Sequence, residues 1–270
     1  VPYEVWLSEI ILQQTRVAQG IPYFHKILQA FPSIESLALA DEDKLLALWT
    51  GLGYYNRARN LQKGARQILT DFNGQLPEQY DALLKIKGIG PYTAAAIASI
   101  CFEEKIGVVD GNVYRVLSRY FGISTPTNST SGQREFQTLA NECIQGTKHP
   151  GLYNQGIMEF GALHCTPKSP NCMYCPLNNS CHAFNSGEVS ELPVKLKKGK
   201  RTKETLHFGV VQNNKKVALR KRGTESIWAG LYEFPQLDGV PQNAQLLAEP
   251  LLHKLSHKDL YCSFWEVAEG

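Results

Sequence analysis

Four cysteines lie within 17 consecutive residues, at Cys165, Cys172, Cys175 and Cys181. Thiolates bind soft metals, so four of them at this density predict a loop that folds around one shared metal centre. Zinc sites usually pair two Cys-x2-Cys units, whereas this chain has one such pair flanked by longer arms, which favours an iron–sulfur cluster. A zinc site and four buried structural cysteines are the alternatives. The spacing therefore predicts a four-thiolate centre, with a [4Fe–4S] cluster as the favoured occupant.

The composition limits the classes of protein to which this chain can belong. Its length suggests about two domains, and a hydrophobic fraction of 43% is sufficient for packed cores. No apolar run approaches the ~20 residues that cross a bilayer. Seven cysteines, four of them bunched, predict a reduced intracellular compartment rather than a secreted disulfide framework. The first residue is Val1 rather than a methionine, so we expect the natural chain to begin earlier.

Residues 1–184 have the pattern of a helical domain. Apolar side chains recur three and four positions apart, as in Leu45 and Trp49 and again in Phe136 and Ala140. Gly, Pro and Asn residues interrupt the pattern often, which indicates short helices joined by tight turns. The fold class that this pattern predicts is mainly α.

The chain changes character after this domain. Residues 185–204 are polar and basic, which is typical of a linker. Within 205–270, alternating apolar residues lie on both sides of Asn213, a hairpin pattern that predicts a small β-containing second domain. Basic residues crowd 195–203 and 215–222 although the net charge is only +3. Such runs indicate either a solvated face or contact with nucleic acid.

Residues 83–94 read as a helix, a glycine turn and a second helix. Gly88 and Gly90 allow backbone N–H groups to converge on an anion, and the following helix adds its positive end. Such a grip would hold a phosphate without reading a base. An ordinary tight turn between two helices is the alternative interpretation.

Two carboxylates lie in contrasting surroundings. Asp110 precedes a helix marked by Val113, a position where Asp is more often a cap than a catalyst. Glu9 lies in a helix with Trp6 and Leu12 three positions away on either side, so it points toward apolar neighbours. A buried glutamate is costly when ionised and tends to keep its proton near neutral pH. Glu9 therefore has the profile of a general acid.

Five motifs together are specific to one group of enzymes. They are Ser-Glu-Ile-Ile-Leu-Gln-Gln-Thr at 8–15, Gly-Leu-Gly-Tyr-Tyr at 51–55, Gly-Ile-Gly-Pro-Tyr-Thr at 88–93, Val-Asp-Gly-Asn-Val at 109–113 and the cysteine loop at 165–181. With these motifs the chain resembles, over nearly its whole length, the helix-hairpin-helix DNA glycosylases that carry a cluster loop, and among them the adenine glycosylases of the MutY type.

The resemblance implies a two-lobed helical glycosylase domain whose four cysteines hold a [4Fe–4S] cluster. Its partner would be double-stranded DNA that contains an adenine:8-oxoguanine mispair. The protein would act as a monomer, away from membranes, in the cytoplasm and near the nucleoid if it is bacterial. Its reaction would be hydrolysis of the N-glycosidic bond of adenine mispaired with 8-oxoguanine or guanine, during base excision repair.

The resemblance also implies a division of chemical roles. The adenine would be flipped out of the duplex into a pocket, where Glu9 would protonate the ring nitrogen N7. Asp110 would stay ionised and stabilise, or transiently bond, the sugar cation at C1′. Glycosidic cleavage generally uses two carboxyl groups in opposite protonation states. Tyr92 and Asn112 match the residues that position the water and the second carboxylate.

Further positions match residues that contact DNA in this family. Gln14, Thr15 and Tyr54 match residues that wedge into the duplex or hold the orphaned 8-oxoguanine. Gly88 and Gly90 match the phosphate-gripping hairpin, and Glu159 matches a contact with the adenine.

Tyr92 separates two subclasses of these enzymes. In the endonuclease III-like glycosylase–lyases a nucleophilic lysine stands at this position, and a tyrosine cannot form a Schiff base. The sequence therefore predicts a monofunctional glycosylase without strand cleavage. A packing role for Tyr92 is the alternative.

The second domain resembles the beginning of a Nudix fold, a small α+β domain, over 217–235. A Nudix hydrolase needs a following helix with several carboxylates to hold magnesium, and residues 242–249 offer only Glu249. Nucleotide hydrolysis is therefore not expected.

In the MutY type this domain reads 8-oxoguanine instead, and the resemblance assigns that contact to Ser256 and His257. Many relatives carry Phe at the position of Leu255. The stretch from Pro235 to Leu255 is short, so we expect the Nudix-like domain to be incomplete.

Three alternatives compete with an adenine glycosylase. A thymine glycosylase for G:T mispairs can share the cluster loop and the tyrosine, but Glu9 and the second domain argue against it. A non-catalytic DNA-damage sensor would have lost Glu9 or Asp110, and both are present. A Nudix-type hydrolase lacks the carboxylate helix.

Overall fold

The computed structural model describes residues 1–197, 201–213, 216–223, 228–240, 242, 244–255 and 258–267. The chain divides into two units, Val1–Leu196 and Lys197–Gly270. Within the described ranges, no helix is both long enough and apolar enough to span a membrane.

The first unit is helical throughout, which confirms the mainly α prediction. Its α-helices are α1 (Pro2–Leu12), α2 (Val17–Ala30), α3 (Ile34–Ala38), α4 (Glu42–Trp49), α5 (Asn56–Asp71), α6 (Tyr80–Leu83), α7 (Pro91–Phe102), α8 (Gly111–Phe121), α9 (Thr130–Ile144), α10 (Pro150–Leu163) and α11 (His182–Ser186).

Helix α7 separates two hydrophobic cores. Ala94, Ile97 and Ala98 face the first core, to which α1–α6 contribute, whereas Ala95 and Ala96 face the second core, built with α8 and α9. Alanine adds little bulk, so helices can approach α7 closely from both sides. The helical unit therefore has two lobes, and any group at the start of α7 lies where the lobes meet.

Residues 185–196 do not form the linker that their polar composition predicted. Helix α11 extends past residue 184, and the segment after it bonds to the helical unit through its backbone. The Nε of Arg119 donates to the carbonyl of Leu192 (3.1 Å), and the N–H of Thr127 donates to the carbonyl of Val194 (3.0 Å). Attachment through the backbone leaves no apolar periodicity in the sequence, so the sequence did not reveal it. The boundary between the two units lies between residues 196 and 197 instead.

The second unit is a small sheet domain. Its strands are β1 (Thr202–Val210), β2 (Gln212–Asn213), β3 (Lys216–Val217), β4 (Arg220–Lys221), β5 (Tyr232–Glu233), β6 (Gln236–Leu237), β7 (Gln245–Leu246), β8 (Leu251–Lys254) and β9 (Lys258–Glu266). The main sheet has the order β6-β1-β9-β7, and β8 also pairs with β9. Leu206, Phe208, Leu260 and Cys262 form its core.

The hairpin predicted for this unit is confirmed, and the Nudix-like α+β domain stays a prediction. The predicted hairpin is confined to β2 and β3, while the long strand β1 pairs in parallel with β9 over its whole length. The α part of the expected α+β fold is absent from the described residues of this unit, which contain no helix. The stretch in which the sequence could have held a further helix, between Pro241 and Pro250, is only eight residues long. Its described part contains the strand β7.

Candidate active site

Asp110 caps the N-terminus of α8. Its Oδ1 accepts hydrogen bonds from the backbone N–H groups of Asn112 (2.9 Å) and Val113 (2.8 Å), as an N-cap residue does. Its Oδ2 accepts a hydrogen bond from the side-chain amide of Asn112 (2.9 Å). The capping role and a catalytic role are compatible here, because the cap fixes the carboxylate at the positive end of a helix, where its charge is favoured.

Glu9 lies on α1 and is partly buried. Burial raises the pKa of its carboxyl, the hydrogen bond with Tyr92 opposes that rise, and the negative charge of Asp110 adds to it. The direction agrees with the prediction of a protonated general acid. The influence of Asp110 also indicates that the two carboxyl groups share one electrostatic environment.

Tyr92 lies between Glu9 and the second lobe, in the first turn of α7. Its hydroxyl lies 3.4 Å from Sδ of Met158 on α10. Burial and the nearby Glu9 raise the pKa of this phenol, so it stays protonated. A phenol has one proton to donate, and a carboxylate is a far better acceptor than a thioether. Tyr92 therefore has a sulfur and a carboxyl group as competing partners.

The three helices bring together the four residues that the sequence predicted as catalytic. Glu9 comes from α1, Tyr92 from α7, and Asp110 and Asn112 from the start of α8. The result is a pair of carboxyl groups in different surroundings, since burial raises the pKa of Glu9 whereas Asp110 accepts three hydrogen bonds. Such a pair can donate a proton on one side of a bond and stabilise a cation on the other.

Arg115 was missed by the sequence reasoning and links this pair to the cysteine loop. Its Nη2 donates to Oδ1 of Asn112 (2.9 Å), and its Nε donates to the carbonyl of Cys165 (2.7 Å). Arg119, one turn further along α8, donates to the carbonyl of Thr166 (2.8 Å) and lies 3.5 Å from Sγ of Cys165. Two arginines four positions apart on one face of α8, both buried in the structure, were the signal that could have revealed them.

Gly161 on α10 allows the close approach that this network needs. A Cβ at Gly161 would lie 2.8 Å from Cβ of Asn112 and 2.9 Å from its carbonyl oxygen, whereas a Cβ at Gly156, on the same helix, would meet nothing within 4 Å. Gly161 and Gly156 therefore provide a matched pair of positions for substitution on the same helix.

Replacing Gly161 by Ala should push Asn112 and Asp110 out of place and lower the catalytic rate by at least tenfold. Gly156→Ala should leave the rate unchanged and raise helix stability by up to about 1 kcal/mol. Thermal melts and single-turnover kinetics of both variants test this. Equal rates for the two variants would show that the close contact does not position the carboxylate.

The glycine hairpin lies between α6 and α7. Gly88 has φ +88°, and a Cβ there would lie 2.8 Å from Cβ of Asn60, so only glycine fits without strain. Within the described chain the backbone N–H groups of Gly88 and Gly90 make no hydrogen bond, and α7 begins with Pro91 directly after them. Two free donors beside a helix N-terminus are suited to an anion.

The predicted duplex-contacting residues lie on two exposed turns. Gln14 follows the end of α1 with φ 55°, and Thr15 comes next. Tyr54 precedes α5 with φ 48°, and its side chain is 58% exposed. The amide of Gln13 lies 3.3 Å from the hydroxyl of Thr93 at the start of α7, which joins the first turn to the catalytic helix.

Three further residues were predicted as site residues from the sequence, Glu159, Ser256 and His257. Glu159 is exposed on α10 and makes no hydrogen bond or ion pair with any described residue. Ser256 and His257 lie outside the described residues. Their neighbour Leu255 packs against the small core of the second unit, which accounts for an apolar residue at that position.

The four cysteines of the loop surround one cavity. Cys165 follows α10, Cys172 begins a short 3₁₀ turn that Cys175 follows, and Cys181 directly precedes α11. All four are free and line the same cavity, together with Arg119 and other residues of α8 and α10.

The cavity has a further polar group without a partner. His164 stacks on Phe160 (ring centroids 5.2 Å apart) and lines the cavity, and its buried Nε2 has no hydrogen-bond partner in the described chain. No three His, Cys, Asp or Glu side chains of the described residues are grouped so as to hold a single metal ion. Four thiols around one cavity are a donor set suited to a metal centre of more than one atom, and the unpartnered Nε2 of His164 lines the same cavity.

Comparison with known proteins gives a consistent result. Residues 7–141 match the model of the HhH-GPD superfamily of base excision DNA repair proteins. The chain is 39% identical to the adenine DNA glycosylase of Buchnera aphidicola subsp. Schizaphis graminum over 236 residues, which cover 87% of this chain and 68% of that protein. It is 36% identical over 273 residues to the enzyme of the same name from Buchnera aphidicola subsp. Baizongia pistaciae, covering 96% and 77%.

The fold is also similar to a solved structure. A thermostable thymine-DNA glycosylase aligns with a TM-score of 0.63 and 29% identity, covering 68% of this chain and 85% of that one.

Proposed function

This chain belongs to the adenine DNA glycosylases of the HhH-GPD superfamily, and we propose that its substrate is adenine paired with 8-oxoguanine in duplex DNA. As a member of this family it is a DNA glycosylase that acts on adenine in base excision repair. The observation that carries the mechanism is the pair of unlike carboxyl groups, Glu9 with its raised pKa and Asp110 with its three hydrogen bonds.

In the proposed reaction Glu9 gives its proton to N7 of the flipped adenine. The C1′–N9 bond then breaks, its electron pair leaves with the base, and a cation develops on the sugar. Asp110 stabilises that cation because its own charge is held in place by the cap. A water molecule adds to C1′ and returns a proton to the carboxylates, with Tyr92 and Asn112 as the positioning groups.

The same residues argue for hydrolysis without strand cleavage. Imine formation needs an amine nucleophile at the sugar carbon, and the group beside Glu9 is the phenol of Tyr92. Lys85 and Lys87 would not supply this amine, because both are exposed.

DNA would be held by three elements of the helical unit. The free N–H groups of Gly88 and Gly90 would bind a phosphate, and Gln14, Thr15 and Tyr54 would enter the duplex next to the flipped base. The exposure of Gln14 and Tyr54 supports this assignment, as does the hydrogen bond between Gln13 and Thr93 that joins the first turn to α7. Glu159, which is exposed on α10, would contact the adenine.

We further propose that Cys165, Cys172, Cys175 and Cys181 hold a [4Fe–4S] cluster. Four free thiols around one cavity and the unpartnered Nε2 of His164 support it. When bound, the cluster supplies iron–thiolate bonds that hold the loop closed. The loop then presents Lys168, which is exposed, to the DNA backbone.

Cys172→Ser should remove the metal and lower the melting temperature, because one thiolate fewer leaves the loop unanchored. The wild-type chain should contain about four iron atoms and as many acid-labile sulfides. Cys143→Ser is the matched control, since Cys143 lies outside the loop and should leave the metal content unchanged. Zinc in place of iron, or an unchanged iron content in Cys172→Ser, would contradict the assignment.

The second unit would be a Nudix-like module that recognises 8-oxoguanine through Ser256 and His257. The protein would act as a monomer in the cytoplasm, and at the nucleoid in a bacterium. These assignments extend the family resemblance to this chain.

The experiment that tests the substrate is adenine release from duplexes that differ only in the opposite base. We expect release to be fastest opposite 8-oxoguanine, slower opposite guanine and slowest opposite thymine. Ser256→Ala with His257→Ala should reduce the preference for 8-oxoguanine over guanine. Equal rates opposite all three bases would reject recognition of the lesion.

A further inference from the structure

Arg57 bonds to the end of the first helix through one of its two terminal nitrogens. Its Nη1 donates to the carbonyls of Ile10 (3.1 Å), Ile11 (2.8 Å) and Gln13. These oxygens belong to the last turn of α1 and its cap, where carbonyls lack partners within the helix. Helix α1 has no basic residue in its own last turn, so Arg57 supplies the cation that this end favours.

The other terminal nitrogen of Arg57 bonds to the second exposed turn. Its Nη2 donates to the carbonyls of Leu52 (3.3 Å) and Gly53 (3.2 Å). The guanidinium also lies 5.3 Å from the ring centroid of Trp49 and 5.7 Å from that of Tyr54. One planar cation therefore joins two turns that are about 40 residues apart in the sequence.

Both turns have backbone conformations that need support. Gln14 has φ 55° and Tyr54 has φ 48°, in the left-handed region that residues with a Cβ disfavour. Neither residue is a glycine, and both are exposed, so burial of their own side chains does not hold them. Such a conformation persists where surrounding contacts fix it, and Arg57 is a contact that the two turns share.

We propose that Arg57 is a positioning residue that fixes Gln14 and Tyr54 together, so that both side chains are arranged to enter DNA before binding. The inference rests on the proposed function for the roles of Gln14 and Tyr54, but the ordering of the turns is a property of the free protein. Arg57 would govern extrusion of the base rather than cleavage of the bond, because it bonds to the turns and not to Glu9 or Asp110.

The fork shape of arginine matters for this role. Its two terminal nitrogens point in fixed directions and can reach both turns at once, whereas lysine is a single point charge on a flexible stem. Arg57→Lys should keep some of the capping of α1 and lose the link to the second turn.

Arg66 offers a matched control on the same helix. Its Nε donates to the carbonyl of Ala38, the last residue of α3 (3.0 Å), so Arg66→Met also removes an arginine that caps a helix end. It does not touch either exposed turn, and a general loss of stability should appear in both variants.

The first test is hydrogen–deuterium exchange of the free full-length protein. In Arg57→Met the amides of 12–16 and of 51–56 should exchange at least tenfold faster, and both segments should change together. Arg66→Met should leave both at the wild-type rate. Unchanged exchange in Arg57→Met, or the same change in Arg66→Met, would overturn the proposal whether or not the protein releases adenine.

The second test separates extrusion from bond cleavage. On a duplex in which adenine lies opposite 8-oxoguanine and all neighbouring bases are paired, Arg57→Met should lower single-turnover release of adenine about 100-fold. On a duplex whose neighbouring pairs are mismatched, so that the adenine is already unstacked, the loss should shrink to less than tenfold. An equal loss on both duplexes would show that Arg57 does not act on extrusion. If the wild type releases no adenine from either duplex, the proposed function fails and the exchange data alone decide the role of Arg57.

Discussion

Replacing Glu9 by Gln is expected to lower single-turnover adenine release by about 10²–10⁴-fold, the range that general acid catalysis contributes. Glutamine keeps the size and most of the hydrogen-bonding capacity of the side chain but has no acidic proton to transfer to N7. Binding to the mispaired duplex should persist, because the groups proposed to contact DNA are on other elements. Glu4→Gln, on the same helix, is the control and should leave release unchanged.

The raised pKa of Glu9 also gives this substitution a signature in stability. In the folded state Glu9 holds its proton to a higher pH than in the unfolded chain, so folding takes up a proton in that window. Stability is therefore lost as pH rises from the ordinary glutamate value of about 4.3 through the raised folded value.

Glu9→Gln cannot ionise, so it should melt at a higher temperature than the wild type at neutral pH. The difference should vanish in acid below the ordinary glutamate value. A variant that is both inactive and more stable would show that Glu9 is needed for catalysis and lowers the stability of the fold at neutral pH. Retained release, or a lower melting temperature at neutral pH, would contradict its assignment as the acid.

Replacing Asp110 by Asn is expected to lower release by about 10²–10³-fold, the size of effect seen when one electrostatic group that stabilises a transition state is removed. Asparagine is as good an N-cap as aspartate, so its Oδ1 can still accept from the N–H groups of Asn112 and Val113. The fold should therefore persist while the negative charge beside the sugar cation is lost.

Asp41 provides the control for the capping role. Its Oδ1 accepts hydrogen bonds from the N–H groups of Asp43 (2.7 Å) and Lys44 (3.2 Å) at the start of α4, the same arrangement away from the carboxylate pair. Asp41→Asn should change neither stability nor release by much. If Asp110→Asn releases adenine as fast as the wild type, Asp110 is a cap and nothing more.

The helical unit was predictable because its signals are local in the sequence. Asp110 could be placed at a helix start from the apolar spacing after it, and Glu9 could be expected to have a raised pKa from its neighbours on one helix face. Both follow from helical periodicity alone. The structure bears out these local predictions in the cap of α8 and in the pKa shift of Glu9.

Contacts between distant segments were not predictable in this way. Arg115 reaches Cys165 across 50 residues and Arg57 reaches Ile10 across 47, and nothing in a local pattern indicates which carbonyls an arginine will meet. The attachment of 185–196 was missed for the same reason, since backbone hydrogen bonds hold it.

The second unit shows a different limit. Alternation of apolar residues indicated strands but not their partners, so the parallel pairing of β1 with β9 was not anticipated. Parallel pairing joins segments far apart in the chain, whereas a hairpin pattern reports only on neighbours. The hairpin that the local pattern predicted is the short pair β2 and β3, whereas the main sheet is built from other strands.

The most direct test of the account is base release by the full-length protein from two duplexes, one with adenine opposite 8-oxoguanine and one with a G:T mispair. The similarity to a thymine-DNA glycosylase structure makes the second duplex the relevant comparison. We expect release of adenine from the first, no thymine from the second, and an intact sugar–phosphate strand until alkali is added. Release of thymine without adenine would contradict the account.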